Sequence, residues 1–200
     1  MKLVVYDCEI RHCIPDGKNP IPKGMATCKG WTDYTGMGIS VITAYVWGEG
    51  YRVFLEDNMQ EFKALASDPE TILAGFHSWR FDDRLIAAVL DIGINPSRTW
   101  DLLRQIVKAT GGNPDGVPHG YGLSALCEAN FLSRKTPGAG AQAPILWQSG
   151  QIGALVDYCL SDTMRTKKLI ELAVDGRLRS PIHFRRLDID CSAIAHLVPR

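Results

Sequence analysis

Two hundred residues, 46% of them hydrophobic and 22% charged, suffice for one domain with its own core and are too apolar for a disordered chain. Lys plus Arg and Asp plus Glu balance at 22 each, so no global field draws the chain to a polyanion, and a nucleic-acid groove has to be basic locally. No apolar run approaches the roughly 18 residues of a membrane span, and the N-terminus enters a strand-like segment without a signal pattern, which reads as an intracellular, cytoplasmic protein.

Residues 2–7 are a β-rich run ending in acid, and 39–47 and 51–55 are two further strands joined through Gly48, Glu49 and Gly50, a hairpin signal. Between them residues 11–37 are rich in glycine, proline and lysine and read as a long surface loop. Asn58 with Glu61 has the form of a capping box opening a helix to about Ala66, which Asp68 and Pro69 end. ILAGF at 72–76 is a fourth strand, followed by a helix to about Leu90, a short strand near 98–100 and a helix capped by Asp101. Residues 111–122 are broken by glycine and proline, 123–131 form a short apolar helix, and 133–149 read as a second irregular stretch. The last long helix, about 151–174, places Ile152, Leu155, Val156, Cys159 and Leu160 on its buried stripe. Strands with a hairpin and then alternating helices predict an α/β domain, a mixed sheet covered by helices. Leu197 to Arg200 read LVPR, the form of a tag remnant, which leaves 1–196 as the single domain. The six cysteines are irregularly spaced in apolar segments, as reduced buried thiols are, and Cys8, His12, Cys13 and Cys28 match no standard zinc spacing.

Acids in three short segments carry the chemistry. Side chains alternate along a strand, so Asp7 and Glu9 project from one side and Cys8 from the other. Alone, such a pair also suits the solvated end of a strand. Tyr158 and Asp162 stand four apart on a helix and share a face one turn apart, while Asp157 is off that face and solvated. Asp82 and Asp83 point about 100° apart at a helix start, so at most one faces a shared site. The bland reading of both is as N-terminal charges favoured by the helix dipole. An all-oxygen set of this kind suits hard cations such as Mg²⁺ or Mn²⁺.

Asp-Cys-Glu at the end of the first strand, Phe81-Asp82 after an apolar Gly-Phe run, and Tyr158 four before Asp162 together resemble the DEDD superfamily of 3′–5′ exonucleases. The tyrosine is similar to that of the DEDDy branch, which holds ribonuclease D-like enzymes and the proofreading domains of family B DNA polymerases. MGISVITAYVW, YRVFLEDN, PGAGAQAPILWQSG and YCLSDTMRT resemble the stand-alone, often phage-encoded exonucleases related to those domains. The resemblance runs from Leu3 to Leu172 and implies a ribonuclease H-like fold. It implies Asp7, Glu9, Asp82 and Asp162 as ligands of two Mg²⁺ or Mn²⁺ ions, with Tyr158 orienting or deprotonating the attacking water. The implied activity is hydrolysis of a nucleic-acid 3′ end, DNA or RNA, releasing nucleoside 5′-monophosphates.

Substrate contacts are expected from His77, Trp79 and Arg165. His77 stands where the family carries asparagine, and it also reads as a histidine of no special role beside a helix. Phe76, Trp79 and Phe81 suit stacking of a terminal base, although aromatics beside an apolar strand more often belong to the core. Arg165 opens a basic run to Arg186 that reads either as a solvated face or as a phosphate-tracking surface. Two rivals use the same residues differently: a structure-specific endonuclease on this fold, and a non-catalytic nucleic-acid-binding module.

Overall fold

The computed structural model describes residues 1–113, 116, 118–132 and 139–199. Five strands form one sheet: β1 (Lys2–Ile10), β2 (Ile39–Val46), β3 (Gly50–Phe54), β4 (Thr71–Gly75) and β5 (Thr99–Asp101). Their order is β3-β2-β1-β4-β5, with β2 antiparallel to β1 and β3, and with β4 and β5 parallel to β1. β1 is central because Leu3, Val4, Val5 and Tyr6 are all buried, and a strand covered on both faces needs a continuous apolar run.

Alternation divides that run between two cores. Val4, Tyr6, Cys8 and Ile10 pack toward α1 (Tyr34–Met37), α2 (Met59–Ser67) and α3 (Asp82–Leu90), with Phe54, Phe62, Leu85 and Ile86. Leu3 and Val5 pack against α4 (Leu102–Ala109), α5 (Leu123–Ala129), α7 (Ile152–Val174) and the C-terminal segment. Val41 of β2 meets Leu155 and Cys159 of α7 and Ala143 of α6 (Ala139–Gln148). Among the described residues no helix is long and apolar enough to cross a membrane.

Four local expectations are corrected. Asn58 precedes α2, but its side chain is spent on β3, accepting from the Leu55 amide at 2.7 Å and donating to the Val53 carbonyl at 3.0 Å. Glu61 pairs with Arg52 at 2.6 Å, so no capping box forms. Residues 139–148, read as irregular, are helical despite Pro144, because burial of Ala143 against β2 and α7 overrides local propensity; 133–138 lie outside the described residues. The buried stripe of α7 is Leu155, Cys159, Asp162, Thr163, Thr166, Leu169, Ile170 and Ala173, whereas Ile152, Val156 and Leu160 are half-buried. Threonines serve there because α7 crosses β2 closely, and Thr43 and Thr163 share a hydroxyl hydrogen bond of 2.7 Å. Within the long loop 11–37, α1 closes the segment, capped by Asp33, whose carboxylate accepts from the Gly36 amide at 3.1 Å. The Asp101 cap holds: its carboxylate accepts from the Arg104 amide at 2.9 Å. Val198, in the stretch read as lying outside the domain, is buried in the α7-side core. All six cysteines are free and buried.

Candidate functional site

The C-terminal end of β1 opens into a cleft of about 630 Å³. Here the pairing with β2 slips: Glu9 faces Val41, Ile10 faces Ile39, and the extra residue Ser40 donates its hydroxyl to the Glu9 carbonyl at 3.0 Å. A bulge of this kind re-aims a strand end. The cleft therefore reaches both faces of β1, and Asp7, Cys8, Glu9 and Ile10 all line it.

β4 supplies the next wall. A Cβ on Gly75 would lie 2.6 Å from the Ser78 side chain, so only glycine lets the following turn fold so tightly onto the strand. His77 takes up the left-handed conformation in that turn, at φ 63°, and lines the cleft with Phe76, Phe81 and Asp82. Its ring Nε2 is buried without a hydrogen-bond partner, and burial, then Arg80, lowers its pKa, so the imidazole is neutral near pH 7. α7 brings Tyr158 to the opposite wall, where a Cβ on Gly140 of α6 would sit 3.6 Å from the phenol oxygen.

Asp7, Glu9, Asp82, Tyr158 and His77 thus share one cleft, although they come from segments more than 60 residues apart. Three expected residues are not part of its lining. Asp162, 1% exposed, pairs with Arg165, 12% exposed, at 2.9 Å. Trp79 stands between the guanidinium groups of Arg80 and Arg104, each about 5 Å from its ring (4.8 and 5.0 Å). Sequence reasoning missed Trp31, 57% exposed, which lines the cleft from the 11–37 loop and meets Phe81 edge-on at 6.1 Å. A tryptophan beside glycine in a polar loop, with no apolar periodicity to bury it, was the available signal.

Burial dominates the electrostatics. Asp82 accepts from the Cys8 thiol at 3.1 Å, and removal from water pushes its pKa up to about 7. Asp83, also raised by burial, accepts from the Tyr6 hydroxyl, and Asp101 is raised by burial to about 6. Burial likewise raises the thiols of Cys8 and Cys159, and the Cys159 thiol lies 3.5 Å from the Asp7 carboxylate. Asp7, Glu9 and Asp82 are all-oxygen donors opening on one space, which fits a hard divalent cation in chemistry. In this arrangement they are not gathered: among the described residues no three His, Cys, Asp or Glu side chains converge to hold a metal ion.

No protein-family model matches the chain, and no curated protein matches it. Solved structures do. A family B DNA polymerase from the hyperthermophilic archaeon Pyrobaculum calidifontis is similar at TM-score 0.58 and 16% identity, over 98% of this chain and 27% of the polymerase. An exonuclease I is similar at TM-score 0.55 and 14% identity, over 92% of this chain and 42% of that one. The chain therefore spans less than half the length of either. The fold is the ribonuclease H-like one: a mixed five-stranded sheet flanked by helices.

Proposed function

We propose that the chain is a divalent-metal-dependent 3′–5′ exonuclease of the DEDDy kind, hydrolysing the terminal phosphodiester of a nucleic acid. The observation that supports this reading is the cleft itself, which Asp7, Glu9, Asp82 and Tyr158 all line at the end of the central strand of a ribonuclease H-like sheet. The similar structures, one an exonuclease and one a DNA polymerase, support it by placing phosphodiester chemistry on the same fold.

Asp7 and Glu9, with Asp82, would hold Mg²⁺ or Mn²⁺, and Asp162 would join them if its pair with Arg165 opened. Bound cations supply neutralisation of the acids and of the charge developing on the scissile phosphate. The remaining roles belong to the side chains. The Tyr158 hydroxyl, at the wall opposite β4, orients the attacking water. Neutral His77 offers Nε2 to a sugar hydroxyl or phosphate. Trp31 and Phe81 flank the entrance and stack a terminal base, a contact worth about 1–3 kcal/mol. The released nucleotide keeps its 5′-phosphate because in-line attack expels the 3′ oxygen of its neighbour.

The test follows 5′-labelled single-stranded DNA and RNA in Mg²⁺ or Mn²⁺. A ladder shortening from the 3′ end, nucleoside 5′-monophosphate products and resistance of 3′-phosphate ends are expected. Cleavage of a circular strand would replace this reading with an endonuclease. Hydrolysis no greater than that of a variant with all four acids changed to alanine would leave a binding module.

A further inference from the structure

A second groove lies away from the cleft, between the C-terminal ends of α5 and α7 and the segment that follows. Its volume is about 220 Å³, and Asn130, Phe131, Leu172, Arg177, Arg179 and Arg186 line it. Leu172 follows Tyr158 by about 14 residues on α7, or about 21 Å of helix axis.

The groove is built. Leu178, Ser180, Leu187 and Ile189 are buried, and the residues between them face outward, so arginines are displayed on an anchored ribbon. Arg179 and Arg186 pair as an antiparallel bridge, and the buried Ser180 hydroxyl meets that of Tyr121 at 2.9 Å. Asn130 clamps the ribbon to α5, accepting from the Arg179 amide at 2.8 Å and donating to the Arg179 carbonyl at 3.0 Å. Phe131, the next residue, is 86% exposed and held at φ 58°, a conformation that a bulky side chain adopts only when its surroundings impose it. Phe184, at the tip of the ribbon, is 70% exposed and stands at φ 53°. Among the described residues the only acid within ion-pair distance of a groove arginine is Asp175, 4.0 Å from Arg177.

Arg179 and Arg186, which have no carboxylate within ion-pair distance among the described residues, stand beside a ring presented to solvent and complement a strand of phosphates and unstacked bases. We infer that this groove is a second contact for single-stranded nucleic acid, in which Arg179 and Arg186 hold phosphates and Phe131 stacks a base. This rests on the nuclease reading only for the direction of the strand, whose 3′ end lies in the cleft. A protein surface would match the phenylalanines but not the uncompensated arginines.

The experiment measures binding of fluorescent single-stranded DNA and RNA by anisotropy in EDTA, where hydrolysis cannot contribute, over a series of salt concentrations. Arg179→Ala/Arg186→Ala is expected to weaken binding of a long strand about tenfold and to make the log-log salt slope shallower by about 1.4. Phe131→Ala is expected to weaken it about fivefold or more. Turnover of a dinucleotide, too short to reach the groove, is expected to be unchanged in both variants. Long-strand affinity and slope equal to wild type would overturn the inference while leaving the nuclease reading intact. If the alanine variants melt early, Arg179→Lys/Arg186→Lys decides: recovered long-strand affinity supports phosphate contact, and unrecovered affinity overturns it. Salt-dependent strand binding lost in the arginine variant, without hydrolysis by wild type, would sustain the groove and remove the exonuclease.

Discussion

The two faces of β1 carry acids in opposite circumstances. On the α7 side Asp7, half-buried, and Glu9, 9% exposed, line the cleft beyond the Leu3 and Val5 core. On the α3 side the acids Asp82 and Asp83 are folded over the core, taken up by Cys8 and Tyr6 and held above their ordinary pKa by burial. One face spends its carboxylates on an opening and the other on the architecture behind it, with Asp82 touching both. The same residue type therefore meets different surroundings on the two faces: the cleft on one, and the Cys8 thiol and Tyr6 hydroxyl on the other.

The sharpest way to break this comparison is Asp7→Ala. Hydrolysis is expected to fall to the assay background, while the melting temperature of the metal-free protein does not drop, because a half-buried charge is removed from an acidic site. Near-normal turnover would end the assignment of the open face. Next in size is Tyr158→Phe, which keeps the ring and loses the hydroxyl; kcat is expected to fall about 10²–10⁴-fold with strand affinity retained. Lost affinity at unchanged kcat would make Tyr158 a stacking residue.

Thermal melts without substrate address the buried side. In the unfolded chain Asp82 and Asp101 titrate near 4, whereas in the fold they are raised to about 7 and about 6. Between those values the folded chain holds the extra protons, so stability is greatest at the acidic end of the window and falls as pH rises from 4 to 7. Asp101→Asn should flatten part of that slope. Mn²⁺ should raise the melting temperature more at pH 8 than at pH 5, by several degrees at about 100 times its Kd, since it binds carboxylates rather than carboxylic acids. An equal rise at both pH values would separate the cation from the cleft acids.

Two smaller effects sharpen the contrast. Trp31→Ala should weaken strand binding by about 1–3 kcal/mol with little loss of stability, as an exposed stacking residue would. Tyr6→Phe should do the reverse, destabilising the protein by about 1–3 kcal/mol through loss of the Tyr6 hydrogen bond to Asp83, with turnover nearly unchanged.

The sequence determined the strands, the order of the helices and the side-by-side placement of Asp7 and Glu9, because these follow from chain-local periods: two residues for a strand and 3.6 for a helix. β1, β4, α3, the Asp101 cap and the extent of α7 were legible for that reason. The capping box failed because Asn58 found a partner on β3, and α6 was missed because the burial of Ala143 is set by β2 and α7. The cleft needed more still. That Tyr158 lines it while Asp162 pairs with Arg165, that Trp79 lies between two arginines, and that Trp31 arrives from a polar loop are outcomes of three-dimensional packing. Which acids ionise is decided there too, because burial depends on the whole fold and a residue's sequence neighbours do not carry it.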